Sequence, residues 1–155
     1  MEQNNPITTA EFHKEVDLIQ SCISRMAQNS FMVKGWGFTL VTAFIALTAD
    51  RLDIYVLCAI GIFILCIFWS LDAFFLKLEK LYRFKYEWII KERPGGNKEY
   101  LYDLNPYQSN TWLPGRKMPS IFSVMFSKPY TLLLFYGSPS LIGIIAIILR
   151  SFCIL

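Results

Sequence analysis

The chain has 155 residues, room for one domain, with 54% of them hydrophobic, 16% aromatic and a net charge of +3. That apolar share exceeds what a soluble domain of this size carries, which excludes an ordinary water-soluble globule as the first reading. The basic residues before residue 98 are not clustered with base-stacking aromatics, which argues against direct nucleic-acid binding.

From the N-terminus, Thr8 and Glu11 stand at capping-box spacing, with Pro6 just outside, and predict a helix start. Phe12, Val16, Ile19, Ile23 and Met26 then repeat at 4-3-4-3 intervals, the pattern of a coiled-coil seam. His13, Glu15, Asp17 and Gln20 fall mostly off that seam. No proline separates Met26 from Val33, so the helix is expected to run on into an apolar stretch at 31–49. Two more such stretches follow, at 54–76 and 130–149. Each is close to the ~20 residues that cross a ~30 Å hydrocarbon core. The polar stretch before the first is too long for the n-region of a secretory signal, so that span is expected to remain as an anchor.

Beyond the second apolar stretch, Leu71, Phe74, Leu78, Leu81 and Trp88 recur at 3-4-3-7 intervals, with Lys85 at the skipped position. Pro94-Gly95-Gly96 should end that helix. Folding the chain about the turn near 50–53 pairs residues whose numbers sum to about 103, which sets Met26 near Leu78 and Ile23 near Leu81. The expected architecture is an all-α integral membrane protein. Residues 8–92 would form one long antiparallel helical hairpin whose two spans, 31–49 and 54–76, extend into a cytoplasmic coiled-coil stalk. At ~1.5 Å per residue each arm would be about 60 Å long.

Residues 93–129 hold five of the seven prolines and read as a cytoplasmic loop or small cap, with 120–126 at the membrane interface. The third span, 130–149, carries Gly137-Ser138-Pro139 near its middle and is expected to be proline-kinked. Thirteen Lys and Arg residues precede span one, stand at its mouth (Lys34) or lie between spans two and three; only Arg51 and Arg150 fall on the other side. The positive-inside rule then predicts a multi-pass protein of a bacterial inner membrane, N-terminus cytoplasmic and C-terminus periplasmic.

Two groups of residues stand out as candidate sites. The fold-back rule brings Lys34 opposite Trp69 and Ser70, within a turn of Asp72. An ionisable group at the bilayer centre costs ~2.5–3.5 kcal/mol, less near the ends, and pairing lowers that cost. One reading makes Lys34–Asp72 a gating or inter-helix pair; the other lets Lys34 snorkel to the headgroups while Asp72 ends its span. Trp36 and Trp69 would form an aromatic belt, and Gly35 and Gly37 would permit close helix contact. In the loop, Tyr102, Tyr107, Trp112, Arg116 and Lys117 combine stacking faces with anion donors, suited to a nucleotide or a partner protein, or to lying on anionic headgroups.

Other chemistry finds little purchase. Cys22, Cys58, Cys66 and Cys153 form no CxxC pair and His13 is the single histidine, so neither a metal site nor a cofactor is expected. Gly35-Trp36-Gly37 lacks the third glycine and the Lys-Ser/Thr of a phosphate loop. No nucleophile–base constellation is evident, and the chain is read as a non-enzyme. Small residues along span one, such as Ala43, Ala46 and Ala49, favour self-assembly.

The stretches "RMAQNSFMVKGW" (25–36) and "FWSLDAFFLKLEKLYR" (68–83), with the apolar run between them, resemble a group of small bacterial multi-pass proteins. These occur beside antiviral defence genes and include two-span effectors of nucleotide-signalling systems and membrane accessories of CRISPR systems. The resemblance covers roughly residues 12–92. It implies an oligomeric effector that perturbs the permeability or potential of the inner membrane on a cytoplasmic signal, a nucleotide or a soluble defence protein. The alternative is a membrane anchor or regulatory subunit that docks a soluble partner through its stalk and residues 93–128.

Overall fold

The computed structural model describes residues 7–127 and 131–153. Pro6, Lys128, Pro129 and Tyr130, expected at the first helix start, the loop end and the head of span three, lie outside the described residues. Among those described the protein is all-helical, without a strand. Helix α1 runs Thr9–Thr48, α2 Ile54–Glu92, α3 Ile121–Met125 and α4 Thr131–Cys153, with 3-10 turns at Arg93–Gly95 and Ser109–Thr111. Helices α1, α2 and α4 are each long and apolar enough to cross a membrane. Only 11% of the most apolar stretch of each is buried, so these residues face outward, the reverse of a soluble core and the arrangement that lipid favours.

The helix boundaries follow local chemistry. At the start of α1, the Glu11 N–H donates to Thr8 Oγ1 at 3.2 Å and the Thr8 N–H donates to Glu11 Oε2 at 2.9 Å, a reciprocal cap. The Thr8 N–H and the Thr8 hydroxyl, both donating to Glu11 Oε2 at 2.9 Å, hold the Glu11 carboxyl below its ordinary range. At the start of α2, the Asp53 side chain accepts the Tyr55 N–H at 2.8 Å. Helix α2 ends where Pro94 cannot continue the ladder. Gly96 there takes φ +82, which an L side chain would resist, and returns its N–H to the Arg93 carbonyl.

The described chain divides into two compact units, residues 7–28 with 76–119 and residues 29–75 with 120–153. In the first, Ile19, Trp88 and Ile89 are buried together, and Phe12, Val16, Ile23, Tyr82, Tyr86, Tyr100 and Leu113 pack against them. Burying side chains of this size contributes about 1.5–3 kcal/mol each. Residues 97–119 therefore reach the core through Tyr100 and Leu113, forming a cap rather than a free loop. Burial pushes the Tyr82 phenol up, beside Cys22.

In the second unit Val33, Leu65, Ala73, Val124, Leu132 and Tyr136 are buried. A Cβ on Gly37 would lie 3.1 Å from the Phe68 side chain, so glycine sets that close approach, whereas one on Gly35 would meet nothing. The expected seam fails here: Leu71 and Phe74 are exposed, while Asp72 and Ala73 are buried. The cause is the solvent. Apolar side chains face lipid at no cost, and the carboxylate must turn inward. Helix α4 continues unbroken through Pro139, and the Ser138 and Ser140 hydroxyls donate to the Leu134 and Tyr136 carbonyls.

Candidate functional site

The polar centre of the second unit is built by three helices. Ser30 and Lys34 sit one turn apart on α1, hence on one face. The Lys34 ammonium donates to Ser30 Oγ at 2.8 Å, and the Ser30 hydroxyl in turn donates to Asp72 Oδ1 on α2. Lys34 Nζ also lies 2.6 Å from Asp72 Oδ2. That contact is an ion pair rather than an aligned hydrogen bond, since Oδ2 has no hydrogen-bond partner by geometry. The Asp72 side chain is wholly buried, and that of Lys34 keeps 20% of its surface.

From α4, Tyr136 is fully buried, and Asp72 is the charged group acting on its hydroxyl. That hydroxyl nevertheless lacks an aligned partner, as does the Trp69 indole N–H. Trp69 stacks on Tyr136, rings 6.2 Å apart and 14° from parallel, and meets Phe126 edge-on at 5.4 Å. Trp69 is thus a packed residue, not the belt residue expected, while Trp36 is exposed. An unsatisfied buried polar group costs about 1–3 kcal/mol, so two in one cluster mark a place where packing is not optimised for stability alone.

The first unit holds its charges differently. Arg93 and Glu15 are both buried and meet through two bonds of 2.7 Å. Arg93 Nη1 also donates to the carbonyls of Asn97, at 2.6 Å, and Glu99, at 2.9 Å. Its guanidinium stands 5.1 Å over the Trp88 ring. Lys85, also buried, donates to Asp103 Oδ2 at 2.9 Å and to the Asn105 carbonyl at 3.1 Å. Burial alone would raise the Asp103 carboxyl; the Asn105 N–H and the Lys85 ammonium together bring it below its ordinary value. These bonds fasten the cap and hold Tyr100 and Tyr102 at positive φ, 57 and 59. For a side chain other than glycine that conformation costs roughly 1–2 kcal/mol each.

The five loop residues expected to form a recognition surface do not converge on one pocket. Trp112 is buried edge-on to Phe84, its indole N–H donating to the Pro106 carbonyl at 3.1 Å. It belongs to the packing because an indole hides much apolar area once its one donor is satisfied. Arg116 lies 4.8 Å over the same Phe84 ring and bonds Glu87 at 2.6 Å. Tyr107 takes the Lys77 ammonium at 5.9 Å, and Tyr102 takes that of Lys14 at 5.7 Å while donating its N–H to Glu15. Lys117 is exposed.

Sequence reasoning set Trp69 opposite Lys34 but missed Ser30 and Tyr136 in the polar centre, and Glu15, Arg93, Lys85 and Asp103 in the cap. Glu15 and Arg93 carried a usable signal, since their numbers lie within about a turn of the fold-back sum. Tyr136 carried none. Among the described residues no three His, Cys, Asp or Glu side chains gather as metal ligands would. Chemically, the polar centre can hold a charge between apolar helices; the cap can fix a loop against two helices. Comparison with family models, with curated proteins and with solved structures finds no match for this chain.

Proposed function

We propose that the chain is an oligomeric effector of a bacterial inner membrane, serving antiviral defence, that perturbs membrane permeability or potential on a cytoplasmic signal. The observation that carries the reading is the Ser30–Asp72–Lys34 cluster held between helices long and apolar enough to cross a membrane. A simple anchor has no use for an ionisable group there, and such groups in membrane helices mark working parts. In this reading α1 and α2 fold back as one hairpin, roughly half of each arm spanning the bilayer and the other half forming a cytoplasmic stalk. The small, exposed residues Gly35, Ala43 and Ala46 of span one form the contact between copies. The defence setting rests on the resemblance of residues 12–92.

A second reading, a membrane anchor that docks a soluble partner, draws on the exposed Tyr102, Tyr107, Met118 and Lys117 of the cap. A voltage-sensitive dye in bacteria expressing the chain from an inducible promoter separates the two. Depolarisation on phage infection, lost in Asp72→Asn, is the effector result. A potential that never moves, with infected and uninfected cells alike, rejects the effector and leaves the anchor.

A further inference from the structure

Lys77 is the first residue past the apolar stretch 54–76, so where α2 crosses a membrane this ammonium stands at the level of the headgroup phosphates. Among the described residues it meets no carboxylate. Its contact is the Tyr107 ring, 5.9 Å from ammonium to ring centroid. A ring face orients an ammonium without neutralising it. The carboxylates nearby are taken by other cations: Glu79 by Arg83, Asp103 by Lys85 and Glu87 by Arg116. The path of the cap brings Tyr107 to this level. Lys85 holds the Asp103 carboxylate and the Asn105 carbonyl, and Tyr107 then reaches Lys77, about two turns nearer the span. Afterwards the chain returns, with Trp112 meeting Phe84 and Arg116 meeting Phe84 and Glu87. Tyr107 thus stands at the turn of an out-and-back path. That turn is fixed: the Tyr107 N–H donates to Asn105 Oδ1 at 3.1 Å, and the Trp112 indole N–H to the Pro106 carbonyl at 3.1 Å. Tyr107 and Leu104 are nevertheless exposed, by 42% and 36%. A phenol and an aliphatic chain beside an unneutralised cation suit the boundary between headgroups and hydrocarbon.

We propose that Lys77 and Tyr107 form a seat for the phosphate of an anionic phospholipid. Lys77 supplies the charge, and the Tyr107 ring holds the ammonium in place. An anionic headgroup is favoured because a zwitterionic one brings its own cation beside the phosphate and gains less from Lys77. The seat ties the turn of the cap to the membrane surface. It goes beyond the effector and anchor readings, holds under either, and rests only on α2 crossing a membrane.

The test reads which lipid the chain keeps. Full-length protein purified in detergent is given phosphatidylglycerol and phosphatidylcholine in equal amounts, and native mass spectrometry counts what stays bound. Wild type should retain the anionic lipid in preference. Lys77→Gln breaks no ion pair, and should lower the ratio of anionic to zwitterionic lipid about fivefold, the effect of one basic residue at a membrane surface. Lys91→Gln removes an exposed charge near the far end of α2 and should leave the ratio unchanged. Tyr107→Phe keeps the ring face and should match wild type, while Tyr107→Ala should lose most of what Lys77→Gln loses. A ratio in Lys77→Gln equal to wild type overturns the seat. So does a loss in Lys91→Gln as large as that in Lys77→Gln, since net charge alone would then explain the preference. An unchanged ratio in Tyr107→Ala overturns the pairing of ring and ammonium. Release of the anionic lipid by millimolar inorganic phosphate would assign the pair to a soluble anion and overturn the lipid assignment.

Discussion

Removing the Lys34 ammonium leaves the buried Asp72 carboxylate with one neutral donor, Ser30. Breaking a buried pair from one side costs about 3–5 kcal/mol, and the partial exposure of Lys34 places this one at the lower end. Lys34→Ala should therefore melt well below wild type in detergent. Lys34→Ala/Asp72→Ala should recover most of the loss, because no charge is then stranded; a double variant as unstable as the single would assign the loss to packing. Asp103, in the cap, makes a prediction of a different kind. Its folded pKa is depressed, so its contribution is complete above the ordinary value of 3.8 and is lost as pH falls through the lower folded value. Limited proteolysis should find residues 97–119 looser at pH 3 than at pH 6, with Asp103→Asn loose at both. Glu11 shifts in the same direction and would loosen the α1 start in the same window. The nearness of Lys34 and Asp72 was legible as a count along two helices. Ser30 was not, because a serine in a helix carries no sign of what its hydroxyl meets. Tyr136 was not either, since an apolar span containing one phenol looks like any interfacial aromatic.

At the scale of elements, sequence patterns located the long helices well because caps and breakers are local. Thr8–Glu11, Asp53 and Gly96 act within a few residues of themselves. Gly96 offers a sharp check. Gly96→Ala forces a side chain to φ +82 and should cost about 1–2 kcal/mol, whereas Gly95→Ala meets open space without that strain and should be near neutral. Thermal melts of the two variants decide it; equal melting temperatures would mean the left-handed cap is not what ends α2. Facing was less legible than existence. The periodicity that places Ile19 and Trp88 in a core also pointed Leu71 and Phe74 inward, and they are exposed. One pattern was read across two solvents. In the first unit apolar residues go in, while among the long apolar helices of the second the polar ones do. The cap was misread for a related reason: Trp112 and Arg116 looked like free donors and stacking faces, but a loop with so little apolar content must use them to attach itself to Phe84.

For the whole molecule, the asymmetry of thirteen basic residues against two is the strongest topological statement the chain makes. By the positive-inside rule it predicts the cap and the N-terminus on the cytoplasmic side, and the turn near residue 51 and the C-terminus on the other. The effector and anchor readings both depend on that placement. The direct measurement is a pair of reporter fusions in bacteria, one fluorescent only in the cytoplasm and one enzymatically active only in the periplasm, joined after residue 117 and at the C-terminus. The account predicts fluorescence from the first junction and periplasmic activity from the second. Both junctions reporting the same compartment would mean that α4 does not cross, and a reversed pattern would put the cap outside the cell; either contradicts the account.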